Sequence, residues 1–71
     1  MKDLLVIIER TRTGYSAYAV DLPGCIATGA TKAQVRKNIK SAIEFHLEGM
    51  REEGLRLPRF RSEPEFVSVA V

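Results

Sequence analysis

Residues 21–34 have the sequence Asp-Leu-Pro-Gly-Cys-Ile-Ala-Thr-Gly-Ala-Thr-Lys-Ala-Gln, and this stretch decides the fold. Pro23 suits the second position of a tight turn and Gly24 tolerates the positive φ of the third, so a type II turn is predicted. Residues 26–29 predict a short strand directly afterwards. Thr31 opens a Thr-Lys-Ala-Gln capping box, in which two side chains satisfy free backbone N–H groups at a helix start. The stretch therefore predicts a turn, a strand and the start of a helix in close succession.

The elements on either side follow from periodicity. The helix that begins at Thr31 continues to Gly54, a natural C-terminal stop, and its apolar side chains form one stripe that can cover one face of a sheet. Upstream, residues 3–10 and 15–20 predict two strands joined by a turn at residues 13–14. The first strand is apolar on both alternating faces, so we expect it to be buried on both sides and central in its sheet.

The end of the chain predicts one more strand. Residues 55–64 form a basic, proline-marked connection, and residues 65–71 alternate so that Val67, Val69 and Val71 lie on one side. The predicted fold class is α+β with the order β-β-β-α-β, one small mixed sheet and a single helix packed on one face. Because one helix covers only one face, the other face would expose an apolar patch that soluble monomers avoid. We therefore expect a homo-oligomer, a dimer or higher, or a permanent partner.

Composition limits the size and the location of the protein. The 71 residues predict a single domain, 1–71, whose core is small enough to need the support of a second subunit. One cysteine and one histidine provide neither a disulfide nor a zinc ligand set, so no metal or other cofactor is expected. The opening apolar run is too short for a signal peptide or a membrane span. We expect a cytoplasmic protein with no membrane partner.

No catalytic residues are predicted, and we do not expect an enzyme. Cys25 and His46 are the only pair that could combine a thiolate nucleophile with a base, and we interpret both as packing residues. A two-metal nuclease centre needs several converging carboxylates. Asp3 and Glu9 instead lie at opposite ends of the first predicted strand, and Asp21 lies in a tight turn.

One set of residues carries a family resemblance, and it runs from the second predicted strand into the helix: Tyr18, Asp21, Leu22, Pro23, Gly24, Cys25, Gly29, Thr31 and Asn38. The chain from about Leu5 to Val71 resembles the N-terminal domain of HicB-like antitoxins. The resemblance implies a partial ribonuclease-H-like fold and binding to a small HicA-like toxin that cleaves messenger RNA. In that family a C-terminal domain binds operator DNA. Because the sequence ends without room for such a domain, direct DNA binding is not expected.

The predicted helix is basic in its first half and acidic in its second, an order that opposes the helix macrodipole. The acidic half is either a surface that faces a basic toxin or a solvated face without a partner. Phe45 projects away from the apolar stripe, and it either anchors an interface or is covered by Leu57 or Phe60 of the connection. The partner-interface candidates are Glu44, Phe45, Glu48 and Glu52.

Arginine side chains support an alternative function, direct nucleic-acid binding by a standalone oligomeric domain. The candidates for a phosphate-binding edge are Arg10, Arg12, Arg56, Arg59 and Arg61. A further alternative is an orphan HicB-like domain without a toxin partner. The preferred function is a module that neutralises a HicA-like toxin by steric occlusion. It accounts together for the two-sided first strand, the lack of catalytic groups and the family pattern.

Overall fold

The computed structural model describes residues 2–71 of the chain. Its elements follow in the order β1 (Val6–Arg10), β2 (Tyr15–Ala19), β3 (Ile26–Gly29) and α1 (Lys32–Glu52). The strands form one antiparallel sheet in the order β1-β2-β3. Helix α1 lies on one face of the sheet, mainly over β3 and β2. The predicted α+β class, with three strands before a single helix, is confirmed.

The predicted fourth strand is absent from the part of the chain that the structure describes. Residues 55–71 contain no helix or strand, and residues 63–71 are exposed throughout. A strand exists only where its backbone groups find partners in a neighbouring strand, and the single chain places none beside this segment. Two further predictions are wrong for the same reason. The sheet is antiparallel rather than mixed, and β1 is an edge strand rather than a central one.

The core lies between α1 and the inner face of the sheet. The helix contributes two buried side chains, Val35 and Ile39, while the remaining buried residues come from β2 and the turn that follows it: Ala17, Ala19, Leu22 and Cys25. Small alanines in β2 let the helix approach the sheet closely, and Leu22 fills the end of the space between them. Half-buried apolar residues of β1 and of the second half of α1 surround this centre.

The turn between β2 and β3 has the predicted type II form. Gly24 has a φ of +83°, and the Cys25 N–H donates to the Leu22 carbonyl at 3.1 Å, as a turn of this type requires. The Ala19 N–H also donates to the Cys25 carbonyl at 3.1 Å, and this bond fixes the turn to the end of the sheet. This arrangement directs Leu22 into the core.

Thr31 caps α1 as the sequence predicts. Its side-chain oxygen accepts a hydrogen bond from the Gln34 N–H at 3.1 Å. The Gln34 side chain does not return to the Thr31 N–H, as a standard capping box would have it; its oxygen accepts from the Ala30 N–H at 3.3 Å, one residue earlier. Both side chains still satisfy backbone donors at the helix start, so the helix begins where the sequence predicts.

The C-terminal end of α1 is a Schellman motif. Gly54 adopts a φ of +69°, and the Leu55 N–H donates to the Met50 carbonyl at 2.9 Å. The Gly54 N–H donates to the Arg51 carbonyl at 3.1 Å, so two of the last helical carbonyls are satisfied.

Within residues 2–71, no helix is long and apolar enough to cross a membrane.

Candidate functional site

The exposed side of α1 presents an aromatic ring among carboxylates. Phe45 is 81% exposed, and at about 100° per residue Glu48 and Glu52 lie within roughly 60° of it around the helix. Glu44 lies beside this group, and all three glutamates are exposed. We name these four residues the acidic face. It lies opposite the buried stripe of the helix, so it remains accessible while the helix packs on the sheet.

The connection after α1 does not cover Phe45. Phe60 packs instead against the hydrophobic core, and with Leu57 it lines a groove that contains Leu4 and Leu47. The alternative in which Leu57 or Phe60 shields Phe45 is therefore wrong. An exposed aromatic ring flanked by carboxylates suits a guanidinium group, which stacks on the ring while it pairs with a carboxylate. The acidic face can thus accept arginine side chains of a partner.

Most residues of the family pattern shape the fold rather than form a pocket. Asn38 donates from its side-chain nitrogen to the Thr28 carbonyl at 2.8 Å and so joins α1 to β3. Gly29 allows close contact between β3 and the start of the helix. Tyr18 lies on the outer face of the sheet and is partly exposed. The others are core, turn or capping residues: Leu22, Pro23, Gly24, Cys25 and Thr31.

Asp21 has a role that the sequence did not indicate. Its carboxylate accepts two hydrogen bonds from Ser62, from the backbone N–H at 3.2 Å and from the hydroxyl at 2.7 Å. These bonds fix the connection after α1 to the turn after β2. No spacing rule relates two positions so far apart in the chain, so the sequence alone carried no signal for Ser62.

Replacing Asp21 with alanine is expected to lower the free energy of unfolding by about 1–2 kcal/mol, because it removes two hydrogen bonds that involve a partly buried carboxylate. Urea denaturation measures the loss. Asp3→Ala, which removes an exposed carboxylate, is the control and should leave the midpoint unchanged. Equal urea midpoints for both variants would show that the hydrogen bonds between Asp21 and Ser62 do not stabilise the fold.

Cys25 and His46 do not resemble a catalytic pair. Cys25 is buried, and burial raises the pKa of its thiol above the ordinary value, so that little thiolate forms near neutral pH. His46 is half-buried on α1. Among residues 2–71, no three side chains of His, Cys, Asp or Glu lie close enough to hold a metal ion.

The five candidate arginines do not form one edge, and Arg56 is exposed in the segment that follows α1. Arg10 lies over the Tyr15 ring, 5.8 Å from its centroid, at the end of β1, and Arg12 is in the loop that follows. Arg59 and Arg61 line the groove near Leu4, before the start of β1. With about 3.3 Å per residue, the length of β1 separates these two groups by roughly 16 Å. The arrangement gives two small basic sites rather than a continuous track for a phosphate backbone.

Comparisons with known proteins identify relatives over most of the chain. Residues 4–68 match the family described as the HicB-like antitoxin of bacterial toxin–antitoxin systems. An uncharacterized protein of Haemophilus phage HP1 is 35% identical over 63 residues, which cover 89% of this chain. The chain spans 47% of the length of that phage protein. A UPF0150 protein of Thermoplasma acidophilum is 37% identical over 59 residues, covering 82% of this chain and 86% of the relative.

A solved structure shares the fold as well. The chain is similar to one in the HicA3 and HicB3 toxin-antitoxin complex, with a TM-score of 0.64 and 32% identity. The similarity covers 87% of this chain and 72% of the other. The Asp-Leu-Pro-Gly-Cys turn, the three strands and the capped helix lie within the matched residues. The chain therefore belongs to the family of HicB-like antitoxins.

Proposed function

We propose that this chain is an antitoxin-like binding module that occupies a small, basic, HicA-like toxin and keeps it away from messenger RNA. Membership of the antitoxin family is the observation that carries the proposal. The neighbour in a toxin–antitoxin complex supports a protein partner. The proposal also implies a cytoplasmic location, because messenger RNA and the toxin meet there.

The acidic face is the surface that we assign to the toxin. A protein that cleaves RNA must attract phosphate groups, so its RNA-binding surface is expected to be basic. Glutamates of α1 can pair with those basic side chains in place of phosphates, and complementary charge accelerates and orients the encounter. Neutralisation then follows from occlusion alone. It requires one bound antitoxin for each toxin and no chemical step.

Phe45 is the residue expected to anchor the contact. An aromatic side chain that is 81% exposed contributes little to the core, whereas burial at the centre of an interface gives such residues a large share of binding energy. Its neighbours Glu48 and Glu52 would hold basic groups of the toxin around the ring. The interface would thus combine an apolar centre with a charged rim.

Phe45→Ala is expected to raise the Kd for a HicA-type toxin from the same genome about thirtyfold, equivalent to about 2 kcal/mol. The free energy of unfolding should change by no more than about 0.5 kcal/mol, because the side chain is solvated and alanine favours a helix. Titration calorimetry measures the first quantity and urea denaturation the second.

Phe60→Ala is the matched control, since it truncates the same side chain where the ring packs against the core. It should lower the free energy of unfolding by about 2 kcal/mol and leave the toxin Kd unchanged under conditions where the variant is folded. Normal toxin binding by the Phe45→Ala variant would show that Phe45 is not part of the interface. Failure of the unaltered chain to bind the toxin would contradict the proposed function itself.

A further inference from the structure

The outer edge of β1 has free backbone groups. The Val20 N–H donates to the Leu5 carbonyl at 3.0 Å, which makes these two residues a bonded pair of the antiparallel ladder. Bonded pairs alternate with unbonded ones along such a ladder. The N–H and C=O groups of Val6 and Ile8 therefore point away from β2. They form an edge to which another strand can add.

The opposite edge of the sheet is less accessible. The same alternation directs the Thr28 carbonyl of β3 outward, where the Asn38 side chain already donates to it at 2.8 Å. Helix α1 also lies closer to β3 than to β1. One outward group of the β3 edge thus already has a partner, which makes the β1 edge the more favourable place to add a strand.

An apolar groove runs beside the β1 edge. Because α1 is centred over β3 and β2, a space of about 680 Å³ remains between the helix and β1. Leu4 and Leu5 before β1 line it, together with apolar side chains of both elements: Val6, Ile8, Ile39, Ile43 and Leu47. None of residues 63–71 lines this groove. Solvated apolar walls of this kind are unfavourable in a folded monomer.

The C-terminal segment, residues 65–71, has the complementary pattern. Its alternate residues Val67, Val69 and Val71 share one side of an extended strand, and Val67 and Val69 are 76% and 72% exposed. Phe66, on the opposite side, is 98% exposed. Residues 65–71 thus have the alternation of a strand but no neighbouring strand, and the β1 edge has no strand added to it.

We propose that residues 65–71 of each chain add as a fourth strand to the β1 edge of a second copy, with the three valines in its groove. The hydrogen bonds between Asp21 and Ser62 hold the chain on its own domain three residues before this segment, while residues 65–71 are exposed along their whole length. A reciprocal exchange fills both grooves, pairs both edges and closes with two-fold symmetry. This dimer does not rest on the proposed toxin binding, and of the four residues of the acidic face only Glu44 lines the groove.

Light scattering after gel filtration of the isolated chain tests the proposal. The intact chain is expected to have the mass of a dimer, and a chain truncated after Pro64 is expected to have the mass of a monomer. Val69→Asp should dissociate the dimer because it places a charge in the groove. Ser68→Asp, which changes the opposite side of the same strand, is the matched control and should remain dimeric. Circular dichroism verifies the helix in every variant.

Hydrogen exchange at the β1 edge tests the same contact without a variant. The Val6 and Ile8 amides should be protected at concentrations where the dimer forms and should lose protection on dilution to the monomer. A truncated chain that stays dimeric would overturn the proposal. An intact chain that is monomeric at all concentrations would overturn it as well. Protected Val6 and Ile8 amides in such a monomer would place the segment on its own β1, and unprotected amides would leave the β1 edge free.

Discussion

Reversing the charge of Glu48 and Glu52 by substitution with lysine is expected to weaken toxin binding about a hundredfold. Both side chains lie on the exposed side of α1 near Phe45, where a basic partner would meet them. Each substitution removes an attraction and introduces a like charge opposite the toxin. The loss should fall mainly on the association rate, and it should shrink as salt screens the charges. Surface plasmon resonance at two ionic strengths measures both effects.

A matched variant separates local charge from total charge. Glu9→Lys combined with Glu63→Lys changes the net charge by the same amount, and both residues are exposed outside α1. This control should bind the toxin with less than about a threefold change, because long-range repulsion is largely screened at physiological salt. Equal losses in the two variants would mean that the acidic face has no special role.

Gly29→Ala is expected to lower the free energy of unfolding by about 3 kcal/mol, because the added methyl group overpacks the contact between β3 and α1. A Cβ at this position would lie 2.6 Å from the Val35 nitrogen and 2.9 Å from the Val35 Cα. These are backbone atoms at the start of α1, so no side chain can move aside. The helix would have to shift away from β3, which would open the core around Val35 and Ile39.

Gly49→Ala is the natural comparison for this prediction. A Cβ there meets no atom within 4 Å, and the position is an exposed one inside α1. Alanine is a better helix former than glycine, so this variant should be more stable than the unaltered chain by about 1 kcal/mol. Thermal or urea denaturation of both variants gives the two opposite shifts. Equal stability of the Gly29→Ala variant and the unaltered chain would contradict the close packing of β3 against α1.

Features determined by neighbouring residues could be predicted from the sequence. The Pro23-Gly24 turn, strand β3 and the Thr31 cap depend on chemistry within a few positions, and each lies where the local pattern indicates. The helix end at Gly54 follows from its freedom to adopt a positive φ. Among the site candidates, the outward direction of Phe45 followed from helical periodicity, and its exposure is large.

Features that depend on distant partners could not be predicted in the same way. The alternation of residues 65–71 indicates a strand, but no pattern states which chain provides its neighbour. The position of β1 at the edge of the sheet has the same cause, because no strand of the single chain pairs with its outer side. The bonds between Asp21 and Ser62 join residues 41 positions apart, and only the folded structure brings them together.

Cleavage of messenger RNA by a HicA-type toxin from the same genome, measured with increasing amounts of this chain, is the most direct test of the proposed function. If the chain acts by occlusion, cleavage should fall in proportion to the chain added and cease near equimolar amounts. The Phe45→Ala variant should require a large excess to give the same protection. Undiminished cleavage in the presence of excess folded chain would contradict the proposed antitoxin function.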